Sequence, residues 1–368
     1  MPERTGTELL INLSAIATNY RLLRRCVLPA ECSAVVKADA YGMGIDEVGP
    51  VLWAEGCKWF FVSQLDEAIR LRGILPNAEI AVLNGLIPKA ERVYNSNRLT
   101  PVINYLEELE LWQNYAHTFS RKMPAILNLD TGIHRLGFAT EELQKLTENK
   151  SLLDGIDVRF VMTSLSCANV KDAPKNAEQV SIFRNNIAKL TSVFGKRFLG
   201  SIANSSGIFL GPEYHLDLVR PGSALFGTNP TPNFDNPMQN VINFGARILQ
   251  IKDVRAGESI GYNALYTCEK NAKIAILALG FADGVFRSLL SRGYVYIGDF
   301  KAKLVGSIAM DIITIDITDI PESIAHTGAM VEVIGPHVSV DEFSSGAGTI
   351  AHEILVSIGL KHNRVYVA

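Results

Sequence analysis

The first two-thirds of the chain alternates short apolar runs with amphipathic segments. The runs are SAVVKA (33–38), KWFFVS (58–63), EIAVLN (79–84), LTPVI (99–103), PAILNLD (124–130), VRFVMTSL (158–165), FLGSIAN (198–204) and the stretch around DLVRPG (217–222). Between them lie QLDEAIRLRGIL, YLEELELWQNYAH, ATEELQKLTENK and AEQVSIFRNNIAKLTSVF, whose apolar residues recur every three or four positions and so mark one buried helix face. An earlier helix starts near Ser14, a fitting cap, and places Ile16, Tyr20 and Leu23 on one side. Eight buried-type strands alternating with helices call for a parallel sheet covered by helices. A closed (β/α)₈ barrel suits that number and this length of chain. An open doubly wound sheet is the rival, but no GxGxxG follows the first strand.

The period changes after TNPTPNFDNP (228–237), which reads as a linker. Beyond it NVINFGARILQIKDV, AKIAILALG, YVYIG, AKLVGSIAM, ITIDIT and MVEVIG are strands broken by Gly, Asp and Asn, so a mostly β second domain is expected, as a barrel or a sandwich. One more helix, TIAHEILVSIGL, precedes a closing strand RVYVA. The expected division is a barrel over 8–230 and a β-rich domain over 238–368.

Composition adds mainly exclusions. With 48% hydrophobic and 20% charged residues the chain is an ordinary globular protein, and a formal net charge of -3 supplies no basic field for nucleic acid. No apolar run is long enough to cross a bilayer, and MPERTGTELL lacks the pattern of a secretory leader. Five scattered cysteines without a CxxC pair and seven scattered histidines suggest neither a disulfide framework nor a metal site, and a cytoplasmic location is expected.

Lys37 stands in an otherwise apolar run, SAVVKADAYGMGI. The plain reading is an end-of-strand lysine that snorkels to solvent. The chemical reading is a Schiff-base lysine, because barrel chemistry gathers at the carboxyl ends of strands and a desolvated amine has a lowered pKa.

VVKADAYGMG resembles the cofactor-lysine segment of the alanine racemase family, and LLINLSAIATNYRLLR resembles that family's amino-terminal stretch. Five separated motifs agree in order through nearly the whole chain. The resemblance implies that Lys37 holds pyridoxal phosphate, with Tyr41 hydrogen-bonding its phosphate. In IANSSGIF and LVRPGSALFG it implies phosphate contacts from Ser205, with Asn204 beside it, and from the Gly222 and Ser223 amides. It sets Arg220 opposite the pyridine nitrogen. An arginine cannot give that nitrogen a full proton, so the ring becomes a weaker electron sink, which suits racemisation and argues against decarboxylase-type relatives.

In LNLDTGIHRLGF the resemblance places Arg135 at the substrate carboxylate. Many relatives carry a carbamylated lysine where Asn128 stands; the asparagine is expected to hydrogen-bond Arg135 instead. Racemisation needs acid–base groups on both faces of the substrate, and SIGYNALYT offers Tyr262 as the partner of Lys37, with Tyr266 near the entrance. VGSIAMDIITIDI supplies Met310, through its amide, and Asp311. In the family these last residues reach the barrel of the other subunit, so the resemblance implies a homodimer with shared sites. Three more positions depart from the pattern: Ser164 replaces a histidine beside the cofactor ring, Phe281 a tyrosine, and His352 a phosphate-binding tyrosine. The implied activity is interconversion of L- and D-alanine, supplying D-alanine for peptidoglycan. The alternatives are a broad-specificity or serine-preferring racemase, and a non-catalytic pyridoxal-phosphate-binding relative. Tyr262 and Met310 weigh against the last, because such single-barrel proteins lack the β domain.

Overall fold

The computed structural model describes residues 6–290 and 292–368. The opening residues read for a leader therefore fall partly outside the described residues. Eight parallel strands form the first unit: a two-piece strand, Glu31–Cys32 and Ala34–Val35, then Trp59–Val62, Glu79–Val82, Leu99–Ile103, Met123–Asn128, Ile156–Met162, Gly200–Ser201 and Leu218–Val219. Neighbours in sequence pair side by side from Ala34 to Ser201. The ring closes because Leu218 and Val219 pair with Glu31 and Cys32. On the other side the Asp217 and Arg220 amides donate to the Gly200 and Ala203 carbonyls at 3.0 and 2.9 Å. The expected (β/α)₈ barrel is what forms. WFFV and LTPVI are buried at every position, as strands covered on both faces must be.

Helices follow the strands as read: Leu65–Ile74, Leu106–Ala116, Thr140–Glu148 and Pro174–Phe194. After strands seven and eight only 3₁₀ turns remain, including Gly207–Phe209 and Ser223–Phe226. Ile16, Tyr20 and Leu23 of the helix Leu13–Val27 are buried together as expected. Its cap is not Ser14. Asn12 accepts the Ala15 amide through its side chain at 2.8 Å, and Ser14 merely donates to Asn12. The helix begins two residues earlier than a Ser14 cap would set it, because the preceding strand already ends at Asn12.

That strand, Thr7–Asn12, pairs antiparallel with Ile242–Val254 and parallel with Arg364–Val367, so the two chain ends meet in the second sheet. Ile242–Val254 is a single long strand that pairs with Met330–Ile334 along its first half and Ala272–Leu277 along its second. With Ile313–Asp316, Phe300–Val305 and Tyr294–Ile297 between those two, the antiparallel sheet closes on itself. Of the two open readings, the β domain is the barrel. A small hairpin, Ser259–Ile260 with Tyr266–Thr267, projects from it. One apolar cluster, which includes Phe60, Trp112, Phe244 and Ile334, runs through both units. Among the described residues no helix is long and apolar enough to cross a membrane.

The reassigned cap has a measurable consequence. Asn12→Ala should destabilise the protein by about 1 kcal/mol in urea unfolding, whereas Ser14→Ala should shift the midpoint far less. Equal effects would restore Ser14 as the cap.

Candidate active site

The first strand stops at Val35 rather than continuing to Ala38. Lys37 follows, and then Ala38, Asp39, Ala40 and Tyr41 all adopt left-handed backbone, with φ of 53, 54, 55 and 56°. Each such non-glycine residue costs about 1–2 kcal/mol, so neighbouring groups must hold the turn in place. Glu67 contributes. Its carboxylate accepts the Ala38 amide at 2.5 Å and, at the end of the second strand, the Ser63 and Gln64 amides at 2.8 and 3.0 Å. Lys37 is thereby fixed at the barrel mouth, half-buried. Burial, and then the positive charge of Arg135, pull its pKa below the ordinary lysine value, while the Glu67 carboxylate opposes them.

Tyr41 closes the same turn. It is buried, its ring 5.0 Å from Phe226 and 5.9 Å from His352, and burial raises its pKa to about 12. Its hydroxyl meets the stretch after strand eight at Gly222, where an added Cβ would lie 2.3 Å from the Tyr41 oxygen. The Gly222 and Ala224 amides converge on Ser205 Oγ at 3.0 and 3.2 Å. Ser223 is buried between them, and Asn204 accepts the Gly207 amide at 2.9 Å to fix the neighbouring turn. Convergent amides and hydroxyls without a carboxylate make a fitting cradle for a phosphate. Beneath it Arg220 is wholly enclosed and donates to Ser201 Oγ and the Thr163 carbonyl. Burial pushes its pKa down to about 10, so it remains a cation at neutral pH, and among the described residues it has no carboxylate partner. That is the donor set a pyridine nitrogen would meet.

Arg135 stands exposed at the rim on a loop braced by Asp130, whose carboxylate accepts the amides of Gly132, Ile133 and His134 at 2.8, 3.1 and 3.1 Å. Asn128 does not bond Arg135 as expected. Its Nδ2 donates to Asn104 Oδ1 at 2.9 Å and to the Leu136 carbonyl at 3.0 Å. A guanidinium carries only donors, so the amide N–H turns to carbonyl oxygens and anchors the loop beside Arg135. Ser164 is held through its carbonyl, which accepts from the buried Gln179 at 2.9 Å. His352 opens to solvent on one side, yet burial and the charge of Lys37 pull its pKa below the ordinary histidine value.

Lys37, Tyr41, Ser205, Arg220, Gly222, Ser223 and His352 thus come together, with Arg135 above them. Tyr262, Met310 and Asp311 do not join this group. Tyr262 lies in the hairpin loop of the β domain, 71% exposed, its amide donating to Ser307 Oγ at 2.9 Å. Met310 is 61% exposed, and Phe281, which pairs with Ala309 through its backbone, is also exposed beside it.

The family model for the alanine racemase N-terminal domain matches residues 11–230, and that for the C-terminal domain matches residues 241–366. The chain belongs to the alanine racemase family. It is 40% identical to the alanine racemase of Methylobacterium sp. (strain 4-46), over 98% of both chains. It is 39% identical to the catabolic alanine racemase of Agrobacterium fabrum, over 98% of this chain and 92% of that one. Among solved structures, the alanine racemase of Bartonella henselae with covalently bound pyridoxal phosphate superposes with a TM-score of 0.94 at 37% identity, covering 99% of this chain and all of that one.

The alanine racemase signatures did not point to every residue that shapes the site. Glu67 escaped the sequence reading, although a glutamate three residues into the helix after strand two is a capping signal. Ser201 and Thr163, which receive Arg220, carried no such signal.

The charges around Lys37 set its reactivity. In the cofactor-free protein its amine should be acetylated at lower pH than surface lysines. Arg135→Met should raise its apparent pKa and Glu67→Gln should lower it. Competitive labelling read by peptide mass spectrometry checks both signs.

Proposed function

We propose that this protein interconverts L- and D-alanine with pyridoxal phosphate carried on Lys37, and that the site needs two copies of the chain. The half-buried amine of Lys37 beside the Gly222–Ser205 cradle supports this reading most directly, together with the full-length likeness to alanine racemases. Ser205, the Gly222 and Ser223 amides, Tyr41 and His352 would hold the phosphate, and Arg220 would face the ring nitrogen. When bound, the cofactor supplies an electron-withdrawing ring that makes the substrate's α-proton removable.

The chain's own residues do the rest. Arg135 and the Met310 amide bind the substrate carboxylate and fix the α-carbon. Lys37, whose pKa is lowered, takes or returns the α-proton at its Nζ on one face. Tyr262 serves the other face through its hydroxyl. Arg220 donates to the ring nitrogen without surrendering its proton, which keeps charge on the α-carbon and favours its reprotonation. Asn128 fixes the Arg135 loop, Ser164 leaves room beside the ring, and Asp311 supports Met310. Tyr262, Leu265, Phe281 and Met310 form an exposed, largely apolar face on the β domain of a single chain. Covering a second copy's barrel mouth would bury that face and bring Tyr262 to the partner's Lys37. We place the enzyme in the cytoplasm, where D-alanine would feed peptidoglycan synthesis. Room beside Ser164 favours serine as a second substrate.

Borohydride should fix the cofactor label on Lys37, and Lys37→Ala should abolish both the label and racemisation. Label on another side chain overturns the proposal. Tyr262→Phe should keep the label and lose roughly 10²–10⁴ in rate, with α-deuterium exchange impaired for one enantiomer. Mixing the inactive Lys37→Ala and Tyr262→Phe proteins should restore activity, because one hybrid site is intact. Failure to complement would sink the shared-site dimer.

A further inference from the structure

The left-handed turn is gripped from an unexpected place, the end of the chain. Asp39, at its middle, uses both carboxylate oxygens. Oδ1 accepts the Ile45 amide at 2.9 Å and Arg70 at 3.1 Å, and Oδ2 meets Arg364 at 2.7 Å. Arg70 is half-exposed and also paired with Asp46, so little of its hold is exclusive to Asp39. Arg364 is different. Its side chain is mostly enclosed, and its Nε donates to the Gly359 carbonyl at 2.8 Å, which aims the guanidinium at Asp39.

Three close contacts surround this pair. A Cβ on Gly359 would lie 2.1 Å from the Gly42 carbonyl oxygen, and one on Gly44 would lie 2.1 Å from the Tyr366 hydroxyl. The Tyr366 hydroxyl donates to the Met43 carbonyl at 3.1 Å. The helix Ala351–Gly359 and the strand Arg364–Val367 therefore sit directly on residues 42–44, with His352 of that helix reaching Tyr41.

We infer that Arg364, in the last strand, is a positioning residue for Lys37 that acts through Asp39 and so ties cofactor attachment to the docked carboxyl-terminal segment. The argument is one of strain. Four left-handed residues revert to ordinary backbone unless something outside the turn restrains them, and a part-buried charge-assisted pair is the strongest restraint in reach. Reversion would swing both Lys37 and Tyr41, which flank Asp39 by two residues on either side. The inference rests on the proposed role of Lys37 for its functional consequence, but the clamp itself is legible without cofactor.

The test uses full-length protein in two forms. In the cofactor-free form, amide hydrogen exchange at Gly42, Gly44 and Ile45, whose amides close the turn, should quicken by roughly tenfold or more in Arg364→Met, while the second sheet away from Arg364 exchanges as before. In the presence of pyridoxal phosphate the same variant should bind it roughly tenfold more weakly, with the visible circular dichroism of the bound group diminished. Asp39→Asn, which keeps an acceptor for Ile45, should fall between Arg364→Met and the parent. Asp39→Ala combined with Arg364→Met should be no worse than Asp39→Ala alone. Unchanged exchange at the turn in Arg364→Met, additive effects in the double variant, or exchange raised evenly across the whole second sheet would each overturn the clamp. Should the parent itself fail to take label at Lys37, the racemase proposal falls, and the exchange measurements still decide the clamp.

Discussion

A stretch of four left-handed residues between Lys37 and Gly42 constrains everything around it. L-amino acids avoid this backbone, so its presence means that the surroundings impose it. Glu67 takes the first amide, Asp39 gathers three donors, and Gly42 and Gly359 allow two backbones to touch. The result is a lysine and a tyrosine four residues apart that both lie close to His352. A right-handed turn built from the same residues would not be held by these partners.

Electrostatics in the site follow from what is enclosed and what is not. Arg220 is buried without a carboxylate and keeps its charge only because arginine starts from so high a pKa. Lys37 starts lower and is pulled down by burial and by Arg135, which makes its amine easier to free. The pKa of His352 is lowered by two like influences, burial and a neighbouring cation. One basic pocket thus contains a permanent cation, a depressed amine and a depressed imidazole.

The two units divide the labour. The barrel gathers the cradle, the amine and the buried arginine, while the β domain turns Tyr262, Leu265, Phe281 and Met310 outward. In the proposed dimer that face would dock on a second copy and supply the second acid–base group. The same β domain also sends its last strand back to its own barrel, where Arg364 meets Asp39. One domain therefore serves the lysine turn of its own chain and, in the proposed dimer, the reaction face of its partner.

Much of this was legible from the order of residues alone. The eight barrel strands and the β-rich second half could be placed because apolar period and turn chemistry are short-range signals, complete within a dozen positions, whereas the residues of the cradle came from the resemblance to a family. The end of the first strand at Val35, the cap at Asn12 and the partners of Asn128 were misplaced, because each depends on a competing bond made by a group the local pattern does not name. Asp39 and Arg364 lie 325 positions apart, and the strand Thr7–Asn12 joins a sheet whose other members begin at Ile242. No periodicity spans such distances. The sequence by itself determined which elements form and which chemistry they carry. Only the tertiary structure decided which donor reaches which acceptor, because a strained turn keeps its shape through contacts that exist only once the chain ends have closed upon it.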